Sequence, residues 1–96
     1  MSDIVTKAVE ALSEKLGGEG FDGSAKFVIE GEGAIVIDGS GVHASDDDTD
    51  VTLTASVETF QAILEGDLNP TSAFMSGRLT LDGDMGTAMK LAGVLA

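Results

Sequence analysis

Residues Gly66 to Leu91 read GDLNPTSAFMSGRLTLDGDMGTAMKL, and this stretch decides the fold. Gly66 follows an apolar-periodic segment and suits a left-handed helix exit. Asn69 followed by Pro70 is a helix N-cap with proline at the first helical position. Gly77 ends that short helix, and Arg78 to Asp82 alternates as a strand. Asp84 then caps a last, methionine-rich helix. No catalytic constellation occurs here. The elements instead place Phe74, Met75, Leu79, Leu81, Met85 and Met89 around one apolar space.

Working outward, Asp3 to Leu16 reads as an amphipathic helix. Ile4, Val5, Ala8, Val9, Leu12 and Leu16 recur at the 3.6-residue period, with Ser2 as its cap. Gly17 to Gly23 is a glycine-rich connector. Ala25, Phe27 and Ile29 alternate with Lys26 and Glu30, the pattern of a strand with one buried face. Ala34 to Asp38 is a second strand, with Ile35 and Ile37 on one face and Val36 on the other. Val42 to Ser45 is a third, and Asp46 to Asp50 an acidic loop. Val51, Leu53 and Ala55 mark a fourth strand. Ser56 caps a helix to Glu65 with Val57, Phe60, Ile63 and Leu64 inward. In the last helix Met85, Ala88, Met89, Ala92 and Leu95 form one stripe. This order predicts an α+β fold: a five-stranded mixed, mostly antiparallel sheet with helices covering one face.

The composition bounds the rest. Ninety-six residues form one domain, 1–96, burying roughly 65% of its unfolded surface. At 43% hydrophobic it is not a disordered chain. No apolar run approaches the ~20 residues that span a bilayer. With no basic leader, no peroxisomal tripeptide and no cysteine, a cytoplasmic location is expected. Seventeen acids against five bases give a formal charge of −12. Nucleic acid is a poor partner without a basic stripe. Anionic membranes are disfavoured as well, so membrane contact is expected to be transient at most.

Several motifs fail their chemical tests. Gly18-Glu19-Gly20-Phe21-Asp22-Gly23 is a literal GxGxxG, but it follows a helix and opens a strand, the reverse of a dinucleotide site. Asp46, Asp48 and Asp50 match three calcium-loop ligands, yet Val51 and Val57 stand where Gly and Glu are required. The loop reads as a solvated turn that blunts strand edges. His43 is the lone histidine and has no cysteine to join it in a zinc site. It lies on a short strand without a nucleophile held beside it. No enzyme, metal or cofactor is expected.

The methionines and phenylalanines remain. Methionine is unbranched and polarisable and adapts to varied apolar partners, but spacing alone favours ordinary core packing. Here the stretch from Gly66 to Leu91 resembles the lipid-binding domain of the sterol carrier protein 2 family. The resemblance rests on Gly66, Leu68, Asn69, Pro70, Ala73, Phe74, Gly77, Leu79, Gly83, Met85, Gly86, Ala88, Met89, Lys90 and Leu91. Upstream it rests on element order and on Asp50-Val51-Thr52-Leu53. The acidic balance departs from the better-known animal members, which are basic.

The resemblance implies a non-enzymatic carrier enclosing an acyl chain, acyl-CoA, phospholipid or sterol in an apolar tunnel. It favours as lining Leu53, Phe60, Ile63, Leu64, Phe74, Met75, Leu79, Leu81, Met85 and Met89, under a roof of the Val57–Glu65 helix and the last helix. A tunnel of at least ~300 Å³, at ~24 cal/mol per Å³ of void, would cost at most ~7 kcal/mol. That rivals the ~5–15 kcal/mol stability of a domain, so an acyl chain filling it should stabilise the protein. The expected assembly is a monomer or weak dimer. A second reading is a small acidic interaction module with no cavity, whose Met and Phe surface docks another protein.

Overall fold

The computed structural model describes residues 3–17 and 20–95. The Ser2 cap and the Gly18-Glu19 part of the connector lie outside those residues. Helix α1 (Asp3–Leu16) turns Val5, Ala8 and Leu12 inward and ends at Gly17. Strands β1 (Ala25–Ile29), β2 (Gly33–Asp38) and β3 (Gly41–Ala44) follow as an antiparallel meander. Strand β4 (Val51–Ala55) then pairs in parallel with β1, and β5 (Leu79–Gly83) pairs antiparallel with β4. The sheet order is β3-β2-β1-β4-β5. Helices α2 (Val57–Glu65), α3 (Pro70–Met75) and α4 (Met85–Leu95) complete the chain. The expected α+β arrangement is the one observed, and the parallel β1–β4 pair makes the sheet mixed.

Alternation along the strands sorts the core from the outer face. Ala25, Phe27, Ile29, Ile35, Ile37, Val51, Leu53, Ala55 and Leu79 are buried on the helical side with residues of α1, α2 and α4. Phe27 and Phe60 meet edge to face with ring centroids 4.5 Å apart, a geometry worth ~0.5–1.5 kcal/mol beyond the area buried. Helix α2 is fixed at its start by Ser56 Oγ, which accepts the Thr59 N–H at 3.2 Å. It ends at left-handed Gly66, whose N–H donates to the Ile63 carbonyl at 3.2 Å.

The acidic segment is not the simple turn expected. β3 and β4 run in the same direction on either side of the β2–β1 pair, so Ser45 to Asp50 must carry the chain back along the sheet. It does so on the outer face. Lys26, which alternation points away from the helices, donates through Nζ to Asp46 Oδ1 at 3.1 Å and to its carbonyl at 3.4 Å. This crossing explains why the Lys26 side chain is only 14% exposed and why Val36 is buried despite facing outward. The segment closes where the Asp50 N–H donates to Ser24 Oγ at 2.9 Å and the Asp50 carbonyl accepts from Asp84 N at 2.9 Å.

Candidate functional site

The site is assembled by one run of chain, α3–β5–α4, laid against β4. Asn69 Oδ1 accepts the Thr71 N–H at 2.8 Å and starts α3 immediately before Pro70. Gly77, at φ 80°, reverses the chain behind α3, and the Arg78 N–H returns to the Ala73 carbonyl at 2.9 Å. That reversal aims β5 along β4 so that Leu79 faces Ala55 and Leu81 faces Leu53. Gly83, at φ 118°, ends β5, and a Cβ there would collide with the Asp50 carbonyl oxygen. Asp84 next caps α4, with Oδ1 accepting the Gly86 N–H at 3.3 Å and Oδ2 the Thr87 N–H at 3.3 Å. The Thr87 hydroxyl donates to Oδ2 at 2.6 Å. These bonds, led by the hydroxyl, hold the Asp84 carboxyl below the ordinary 3.8.

Between α3 and α4, over β4 and β5, lies a cleft of about 360 Å³. Its walls are Leu53, Pro70, Thr71, Phe74, Met75, Leu79, Leu81, Met85, Ala88, Met89, Ala92 and Leu95. None of these side chains is charged. The floor is buried: Leu53 is 2% exposed. The lip is open, with Met75 81% and Met89 61% exposed and Phe74 and Met85 partly so. In this structure the space is therefore a half-open cleft, not a closed tunnel. Its depths are sealed, its rim is flexible thioether and aromatic surface, and water reaches it from one side. The void penalty of a dry tunnel does not apply to such a shape.

Seven of the ten residues anticipated as lining border this cleft: Leu53, Phe74, Met75, Leu79, Leu81, Met85 and Met89. Phe60, Ile63 and Leu64 do not. Phe60 and Ile63 are wholly buried in the core, and Leu64 packs at its margin. Helix α2 closes the core beneath α1, and the short α3 takes the flanking place expected for it. A helical apolar stripe shows that one face is buried but not against what. The anticipated set omitted Pro70, Thr71, Ala88, Ala92 and Leu95. The last three belong to the α4 stripe, where the alanines add less bulk to the wall than the methionines beside them. Pro70 reads as a helix start and not as lining, and nothing in the sequence singles out Thr71. The glycines at 77 and 83 serve turns. A Cβ at Gly86 would make only ordinary contacts, with the Asp84 carboxylate.

Other depressions differ in chemistry. One of about 380 Å³ between α1 and α4 is walled partly by Lys15, Asp22 and Lys90. Among the described residues no cluster of three or more His, Cys, Asp or Glu side chains is placed to hold a metal ion, and no helix is long and apolar enough to cross a membrane.

The model of the SCP-2 sterol transfer family matches residues 7–96. The chain belongs to that family. Membership makes it a lipid-binding protein of the sterol-carrier type. Hydroxysteroid dehydrogenase-like protein 2 of Homo sapiens is 37% identical to this SCP-2 chain over 93 residues, 95% of this chain and 21% of that protein. The chain thus spans about a fifth of the length of such relatives. Sterol carrier protein 2 like 2 of Aedes aegypti shares the fold with a TM-score of 0.78 at 25% identity, covering 95% of each chain. Sterol carrier protein 2 of Aedes aegypti, solved in complex with palmitate, gives a TM-score of 0.77 at 22% identity, covering 100% of this chain and 97% of that one. At that identity the likeness is one of fold.

Proposed function

We propose that the chain is a lipid carrier and that the α3–α4 cleft holds the hydrocarbon part of its cargo. The observation carrying this reading is the graded wall: a buried floor, a lip of exposed Phe and Met, and no charged side chain between them. At about 360 Å³ the cleft sits at the small end of ligand pockets, ~300–1,000 Å³, and suits a single tail. Each buried methylene contributes ~0.8 kcal/mol. Ten would supply ~8 kcal/mol against the losses of freedom on binding. The palmitate held by the Aedes aegypti relative supports an acyl species as cargo.

The reading is one of sequestration without covalent chemistry. The dehydrogenase-like relatives extend far beyond the matched region, so their activity is not carried over. A carrier working in the cytoplasm, as a monomer or weak dimer and touching membranes only briefly, fits the −12 charge. Native mass spectrometry of the purified protein tests the proposal, together with thermal melts in C12–C18 lipids. A lipid-mass adduct and a raised midpoint are expected. No adduct and no shift at saturating lipid would sink it.

A further inference from the structure

An amphiphile with its tail in the cleft must leave its polar end at the lip, and the surroundings decide which end group is tolerated. Anionic groups are usually met by Arg or Lys, or by the free N–H groups at a helix start. Among the described residues that line the cleft there is no Arg or Lys, and the helix starts beside it are occupied. Lys26 is tied to Asp46 on the far face of the sheet. Lys90 pairs with Asp22 at 3.3 Å and, with Lys15, walls the groove between α1 and α4. Lys7 borders a depression beside α2. Arg78 precedes β5 and does not line the cleft. These are all five cations of the chain.

The two helices flanking the cleft are already capped from within. At α3, Pro70 has no N–H and Asn69 takes that of Thr71. At α4, beside the lining residue Met85, the Asp84 carboxylate takes the N–H groups of Gly86 and Thr87. The place where a carboxylate or phosphate would dock on α4 thus holds the protein's own negative charge. The net charge of −12 adds a repulsive field of the same sign. Among the described residues that line the cleft, Thr71 is the one with a hydroxyl side chain.

We infer that the cleft selects on head-group charge, taking uncharged lipids such as fatty alcohols, acyl esters or sterols in preference to a fatty-acid anion of equal chain length. This rests on the carrier reading and narrows its cargo. The test is competition of dodecanol, methyl dodecanoate and dodecanoate against an uncharged fluorescent lipid probe at neutral pH, in about 0.02 M and about 0.5 M salt. The two uncharged ligands are expected to bind at least about fivefold more tightly than dodecanoate at low salt, the worth of one near charge contact in water. The gap should shrink at high salt, and Asp84→Asn should shrink it at low salt. Equal affinities, tighter dodecanoate, or a gap indifferent to salt would overturn the inference while leaving the carrier reading standing. Failure of all three ligands and of the probe to bind would instead bring down the carrier reading itself.

Discussion

Leu53 on β4 and Leu81 on β5 are directly opposed in the antiparallel register, and both side chains border the cleft. They are not equivalent. Leu53 also packs in the main core and is buried, whereas Leu81 is only half-buried. Leu53→Ala should therefore lose about 2–5 kcal/mol of stability, the range for truncating a buried leucine. Leu81→Ala should lose clearly less. Urea unfolding of the two variants measures the difference, and equal losses would show that the cleft floor is not graded in this way.

Ile63 separates core from cleft. It is wholly buried on α2 and does not line the cleft. Ile63→Val should destabilise by about 0.5–1.5 kcal/mol while leaving lipid affinity unchanged. A parallel loss of affinity would return α2 to the binding site.

Gly83 carries the turn from β5 into α4. Its φ of 118° suits only glycine, and an added Cβ would press on the Asp50 carbonyl and lie 2.9 Å from Val51 Cα. Both contacts are backbone, with no flexible end to give way. Gly83→Ala should lower the melting temperature by several degrees, whereas Gly86→Ala, with contacts no closer than 3.6 Å, should be tolerated or mildly stabilising. Thermal melts of the pair decide between a turn requirement and a general need for small residues.

Two carboxylates contribute to the acid limb of stability. Asp84 is held low first by the Thr87 hydroxyl, and Asp38 first by the Ser40 hydroxyl. A folded-state value below the unfolded one favours the ionised folded protein. Their contribution is thus present above the ordinary value of 3.8 and disappears as pH falls through the lower folded values. Stability should hold from neutral pH to about pH 4 and decline below it. Asp84→Asn, which keeps a capping oxygen, should flatten part of that decline. A steep loss already at pH 6 would point to groups other than these.

Much of this architecture could be read from residue order. Asn69-Pro70, Gly66 and Gly77 punctuate helices for local steric reasons, and alternation in Ala25–Ile29 and Val51–Ala55 exposes one face of each strand. Such signals act within a few residues of each other. The parallel register of β1 with β4 does not, and without it the acidic segment reads as a turn when it is a crossing pinned by Lys26. The cleft was half legible for the same reason. The α4 stripe, with alanines between methionines, marks a lining, but whether α2 or α3 faces it depends on how the reversal at Gly77 folds α3 back toward β5. Phe60 and Ile63 accordingly belong to the core.

The central claim is that the uncharged wall between α3 and α4 receives a lipid tail. It is tested most directly by titrating an uncharged fluorescent lipid probe into the native protein and into Met89→Asp. Met89 is exposed at the lip, so the variant should keep its fold and melting behaviour, surface changes being worth within about 0.5 kcal/mol. A carboxylate there must be desolvated under any bound tail. Saturable one-to-one binding to the native protein, weakened at least about tenfold, or 1.4 kcal/mol, in Met89→Asp is the expected result. Absence of saturable binding to the native protein, or equal binding to a folded Met89→Asp variant, would contradict the account.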